Sequence, residues 1–275
     1  MKRKLRKVFL LMGAGAMFLT GCGSSTSAQL NSILNDEYKD TYKMNIDEED
    51  LASEATIFAS VDGAVSSVLT PEASGKKVEE NQKMIIDYSN TSDGYVMAQY
   101  KKDTTKKIKC QIEGPTGITY TFNLTPTVYA TLPLSEGDGD YKITVYENIS
   151  GTSYATVGSV TTSVKLTDAM APFLTPNQYV NYTDKTKCVE KAAILCKGMD
   201  DELEKVNAVY AWTLEHFRYS FFKAATVQSG YVPDLDEVYD AGKGICFDYA
   251  STMLAMLRSQ NIPTKLVIGY SGSNY

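Results

Sequence analysis

Polar and apolar positions change rhythm along this chain of 275 residues. From about Val78 to Leu166 they alternate in short runs rich in Val, Ile, Tyr and Thr, separated by Asn, Asp, Gly and Pro. The runs are MIIDYS (84–89), YVMAQYK (95–101), KIKCQIE (107–113), ITYTFNL (118–124), VYATLPL (128–134), DYKITVYENI (140–149) and YATVGSVTTSVKL (154–166). In the sixth run Ile143, Val145 and Glu147 point one way while Thr144, Tyr146 and Asn148 point the other, the period-two pattern of a half-buried strand. Seven such strands, punctuated by turn residues, predict an antiparallel β-sandwich over residues 76–168. The acidic run EGDGD (136–140) lacks the downstream bidentate glutamate of a calcium loop and is expected to be a hairpin turn.

After Pro172 the period lengthens to three and four. DDELEKVNAVYAWTLEHF (200–217) sets Leu203, Val206, Val209/Tyr210, Thr213/Leu214 and Phe217 on one helical face. His216, the only histidine, shares a side with Trp212 and is expected to be a partly buried helix residue, not a catalytic one. The stretch from Gly230 through Asp236 to the glycines flanking Lys243 reads as a linker, 247–260 as a helix with Ala250, Met253, Leu254 and Leu257 inward, and 265–270 as a strand. The fold class predicted is α+β, a sandwich followed by helices and then a strand.

Composition changes the picture at the amino terminus. Lys2, Arg3, Lys4, Arg6 and Lys7 precede an apolar run from Val8 to Leu19 that is short for a membrane span, so residues 1–21 read as a signal peptide. Leu19-Thr20-Gly21-Cys22 resembles the lipobox of bacterial lipoproteins. That resemblance implies a diacylglyceryl thioether on Cys22 and a mature protein held outside the membrane by its acyl chains. Residues 22–75 follow as a Ser/Gly/Thr spacer and a polar, acidic region to which no fold is assigned, and its Asp47-Glu48-Glu49-Asp50 run reads as a solvated charge cluster. Losing the five basic leader residues from 27 leaves 22 against 33 acidic ones, a net charge near −11, which argues against nucleic acid as a partner.

Four further cysteines remain. Cys188 and Cys196 sit eight apart in a helical run, a separation of about 12 Å that no disulfide spans. They and Cys110 read as small core residues, and no metal pair of the C-x-x-C kind is visible. No cofactor is expected. Cys246 differs: GKGICFDYA puts it behind two glycines and at the start of a helix, where the dipole and free N–H groups favour a thiolate. It is the candidate nucleophile.

GKGICFDYASTMLAMLRSQNIPTKLVIGY resembles the core of bacterial transglutaminase-like proteins, a branch of the papain-like cysteine enzymes. APFLTPNQYVNY, VYAWTLEHFRY and SGYVPDLDEVYDAGKGIC are similar to clostridial-type lipoproteins that carry this domain behind a β-rich one. The resemblance implies that residues 169–275 form the amino-terminal half of such a core. It also implies that Cys246 attacks a carboxamide or peptide carbonyl to give a thioester, and that a histidine on a following strand and an aspartate on the next assist it. Neither of these is present by Tyr275, so the chain is expected to be truncated and inactive alone. The family's aspartate after the tyrosine matching Tyr219 is replaced by Ser220. Two functions stand side by side: a surface-anchored cysteine acyltransferase or peptidase acting on protein or cell-wall peptide amides, and a non-catalytic binding or scaffolding lipoprotein.

Overall fold

The computed structural model describes residues 68–269, so the leader, Cys22, the acidic cluster at 47–50 and Tyr270 lie outside the described residues. Residues 68–266 belong to one compact unit. Residues 267–269 fall in a second unit and carry no regular secondary structure.

The alternating half of the chain forms two four-stranded sheets. One orders β1 (Val78–Glu80), β2 (Met84–Asp87), β3 (Tyr95–Tyr100) and β6 (Ala130–Pro133); the other orders β5 (Thr119–Leu124), β4 (Ile108–Glu113), β7 (Gly139–Ser150) and β8 (Ser153–Val164). Every pairing in both is antiparallel. In β4 the residues Ile108, Cys110 and Ile112 are buried while Lys109 and Gln111 are half-exposed, and Ile143 and Val145 of β7 meet them across the ladder. These residues share one core with Met84, Ile86, Val96 and Leu132 of the facing sheet. Burial of each large aliphatic side chain contributes about 1.5–3 kcal/mol.

The acidic run at 136–140 is not a hairpin. β6 and β7 lie in different sheets, so this segment crosses from one layer to the other. Two of its three carboxylates are held locally: Glu136 accepts hydrogen bonds from the Thr116 and Tyr120 hydroxyls, and Asp138 accepts from the Leu166 N–H at 2.8 Å and pairs with Lys165.

The second half of the unit is helical, with five α-helices among the described residues: α1 (Lys187–Leu195), α2 (Glu202–His216), α3 (Phe221–Thr226), α4 (Leu235–Ala241) and α5 (Cys246–Ser259). From Ser251 to Ser259 every residue of α5 is buried, because α1, α2 and α4 all pack on it. On α2 the buried stripe is Val206, Val209, Trp212 and Thr213, followed by Phe217, whereas Leu203, Tyr210 and Leu214 of the expected face are exposed. The stretch expected as a linker from Gly230 to Gly242 instead contains the whole of α4: the Asp234 carboxylate caps it, accepting from the Asp236 and Glu237 N–H groups at 3.1 and 3.0 Å, while Leu235 and Val238 are buried. The expected strand at 265–270 forms no ladder among the described residues, since no neighbouring strand pairs with it.

Tyr179 joins the two cores. It packs against both clusters, stacks on Phe122 at 5.4 Å and meets Phe247 edge-on at 5.9 Å. Its hydroxyl donates to the Thr121 carbonyl at 3.3 Å, and the Gln178 N–H donates to the Thr131 carbonyl at 3.1 Å. This segment therefore bridges the β5 and β6 edges and seats the helices on the sandwich. No helix among the described residues is long and apolar enough to cross a membrane.

Candidate active site around Cys246

The two glycines before Cys246 have different reasons. Gly242 ends α4 in the left-handed region at φ +54°, where a side chain is strained. At Gly244 a Cβ would lie 2.6 Å from the Asp248 Cβ and 2.7 Å from its Oδ2. Between them the chain forms β10 (Lys243–Gly244), which pairs in parallel with β9 (Arg218–Tyr219) and sets Tyr219 opposite Gly244. The Arg218 N–H donates to the Gly242 carbonyl at 2.9 Å and the Ser220 N–H to the Gly244 carbonyl at 2.8 Å.

Asp248 is the reason Gly244 must be bare. Its carboxylate is fully buried and accepts from the Ile245 N–H at 2.8 Å and the Tyr231 hydroxyl at 2.6 Å. The Lys223 ammonium pairs with it at 2.7 Å and also donates to the Tyr231 oxygen at 2.6 Å. Burial pushes the Tyr231 phenol well up, and the Asp248 charge adds to that rise. A buried carboxylate is tolerated only with partners of this kind. The arrangement fastens α3 and the loop carrying Tyr231 to the first turn of α5.

Cys246 opens that turn and is exposed, whereas Cys110, Cys188 and Cys196 are buried. Burial pushes the Cys110 thiol up to about 12, and raises Cys188 and Cys196 as well. Ile245, the residue before the helix, makes no side-chain cap hydrogen bond, and the first-turn N–H groups of a helix have no partner within the helix itself. Tyr219 lies within electrostatic reach of Cys246: burial raises the Tyr219 phenol first, and the proximity of Cys246 adds to the rise.

His216 is held elsewhere. Its Nε2 lies 3.1 Å from the Tyr239 carbonyl oxygen, and its ring stacks on Trp212 at 4.5 Å and packs against Tyr239 at 5.1 Å. It is a helix-end packing residue, as its position in the sequence implied. Ser220, at the departure from the family pattern, caps α3 by accepting from the Lys223 N–H at 3.2 Å.

Sequence reasoning missed Lys223, Tyr231 and Asp248. The signal available was the Asp248 carboxylate three residues past Ile245, the spacing at which a side chain turns back to the backbone N–H preceding a helix. It also missed Arg258, buried on α5, which donates to the Thr175 carbonyl at 2.8 Å and twice to that of Thr264 at 3.0 and 2.8 Å, and whose guanidinium burial lowers to about 10.

Residues 182–274 match the transglutaminase-like superfamily. No curated protein and no solved structure matches the chain.

Proposed function

We propose that the transglutaminase-like domain at residues 182–274 uses Cys246 as its nucleophile, taking the acyl group of a protein or cell-wall peptide amide as a thioester, and that acylation of Cys22 holds it at the outer face of a bacterial membrane. The domain itself carries cysteine-based acyl transfer or hydrolysis as its family-level chemistry. The observation that supports Cys246 is its placement: among the described cysteines it alone is exposed, and it opens a helix, whose first-turn N–H groups lack intrahelical partners and suit the oxyanion formed when sulfur attacks a carbonyl. The Lys223–Asp248 pair fixes the turn, so the sulfur's position is set before substrate arrives. The runner-up role as a non-catalytic scaffold leaves this exposed thiol without a task.

The test separates nucleophile from base. In a p-nitrophenyl ester the thiolate adds to the carbonyl, the C–O bond breaks, and p-nitrophenolate leaves with the electron pair and needs no proton. We expect a burst of one aryl oxide per chain and the acyl mass on the peptide containing Cys246, both absent in Cys246→Ala. Equal release by the variant, with no acyl group at Cys246, overturns the assignment. For the anchor, a labelled fatty acid supplied to producing cells should mark the wild type and not Cys22→Ala; equal labelling rejects it.

A further inference from the structure

Exposed aromatic rings follow the short strand that pairs with the turn before Cys246. Tyr219 and Phe221 are each 42% exposed and Phe222 is 76% exposed. The first two rings meet at 5.0 Å and 65°. Register sets Tyr219 opposite Gly244, two residues before Cys246, and the Lys223–Asp248 contact at 2.7 Å ties α3 to the same turn. None of the six residues of α3 is buried. The two phenylalanines that begin it are exposed, with no charged residue from 219 to 222.

We propose that Tyr219, Phe221 and Phe222 form a specificity subsite that takes an aromatic or large aliphatic side chain adjacent to the reacting amide, making the preferred substrate a peptide or protein amide in an apolar sequence context. This rests on Cys246 being the nucleophile. The 65° angle between the rings favours a side chain over a sugar. Rings so inclined offer a corner that accepts the edge of another ring or a branched aliphatic group, whereas the flat face of a pyranose needs a flat platform. The site is also electrically balanced where substrate would lie, because Lys223 is already committed to Asp248 and Tyr231.

The test uses the 275-residue chain and two electrophiles, the chloroacetyl amides of phenylalanine methylamide and of glycine methylamide, with iodoacetamide as the reference. In each chloroacetyl case sulfur displaces chloride from the methylene carbon, so one S–C bond forms and one C–Cl bond breaks, and labelling is read at Cys246 by peptide mass. The phenylalanine compound should label Cys246 about 2- to 12-fold faster than the glycine compound, the range expected for one well-placed ring contact. Phe221→Ala and Phe222→Ser should each shrink that ratio towards one while leaving the iodoacetamide rate at Cys246 unchanged. Equal rates for the two compounds in the wild type, or protection by a disaccharide of N-acetylglucosamine but not by an unreactive phenylalanine amide, overturn the subsite. Failure of iodoacetamide to label Cys246 faster than Cys110 instead overturns the nucleophile, so the two failures are distinct.

Discussion

Asp248 is sealed from solvent, so each of its three hydrogen bonds replaces one that water would supply to an exposed carboxylate. This makes Gly244 a sensitive position. A methyl group there would overlap the Asp248 carboxylate and its Cβ, and both atoms belong to a fully buried side chain with little room to yield. Gly244→Ala should therefore cost about 1–3 kcal/mol, measured by urea unfolding, and should slow alkylation of Cys246 because the turn that carries it must shift. Unchanged stability and unchanged alkylation would mean that the turn relaxes freely. A second residue sets an acid limit. Glu147 accepts from Lys106, Lys83 at 2.7 Å and Tyr100 at 2.9 Å, and these hydrogen bonds hold its carboxyl at about 2, below its usual 4.5. A carboxyl depressed in the folded state stabilises that state fully above its unfolded value, and the contribution is lost as pH falls from about 4.5 towards 2. The unfolding midpoint of the wild type should drop across that window, and Glu147→Gln should be less stable at neutral pH and flatter below it. Parallel acid profiles would assign the sensitivity to other groups.

The elements differed in how plainly the sequence announced them. The strands of the sandwich were legible because each alternates over a half-buried face, and β4 and β7 follow their expected runs within a few residues. The crossover at 135–138 was not, since a turn joining two strands in sequence looks the same whether those strands pair or lie in opposite layers. On α2 the periodicity fixed the helix but not which side was buried: Leu203 and Leu214 are as apolar as Val206 and Val209, and only the packing of α2 on α5 separates them. The short helices α3 and α4 were hidden by length, because six or seven residues show less than two full turns of pattern. Their caps, Ser220 and Asp234, were visible as residue types without an apolar run to give them meaning. At the candidate site the cysteine and both glycines could be read from local chemistry, whereas the partners of Asp248 come from 17 and 25 positions away and depend on tertiary placement.

At the scale of the whole molecule, two cores share one aromatic hinge point. Phe122 belongs to the sandwich, Phe247 adjoins the candidate nucleophile, and the Tyr179 ring touches both. Since residues 68–266 form one compact unit, the sandwich and the helices should unfold together. The single tryptophan makes this measurable, because Trp212 lies in the helical core and its fluorescence reports that half, while far-ultraviolet circular dichroism weights both. In the wild type the two signals should give one urea midpoint. Tyr179→Ala removes the ring between Phe122 and Phe247 and the hydroxyl bonded to Thr121, a loss of about 2–4 kcal/mol for a partly buried aromatic, and should separate the two midpoints. The retained half can then be identified: if fluorescence changes first, the helices depend on the sandwich for stability, and Cys246 should lose its alkylation advantage over Cys188 at the same urea concentration. Tyr179→Phe keeps the ring stack and loses only the hydroxyl, so its midpoints should stay together. Coincident midpoints in Tyr179→Ala, at unchanged urea concentration, would show that the aromatic bridge does not couple the two cores.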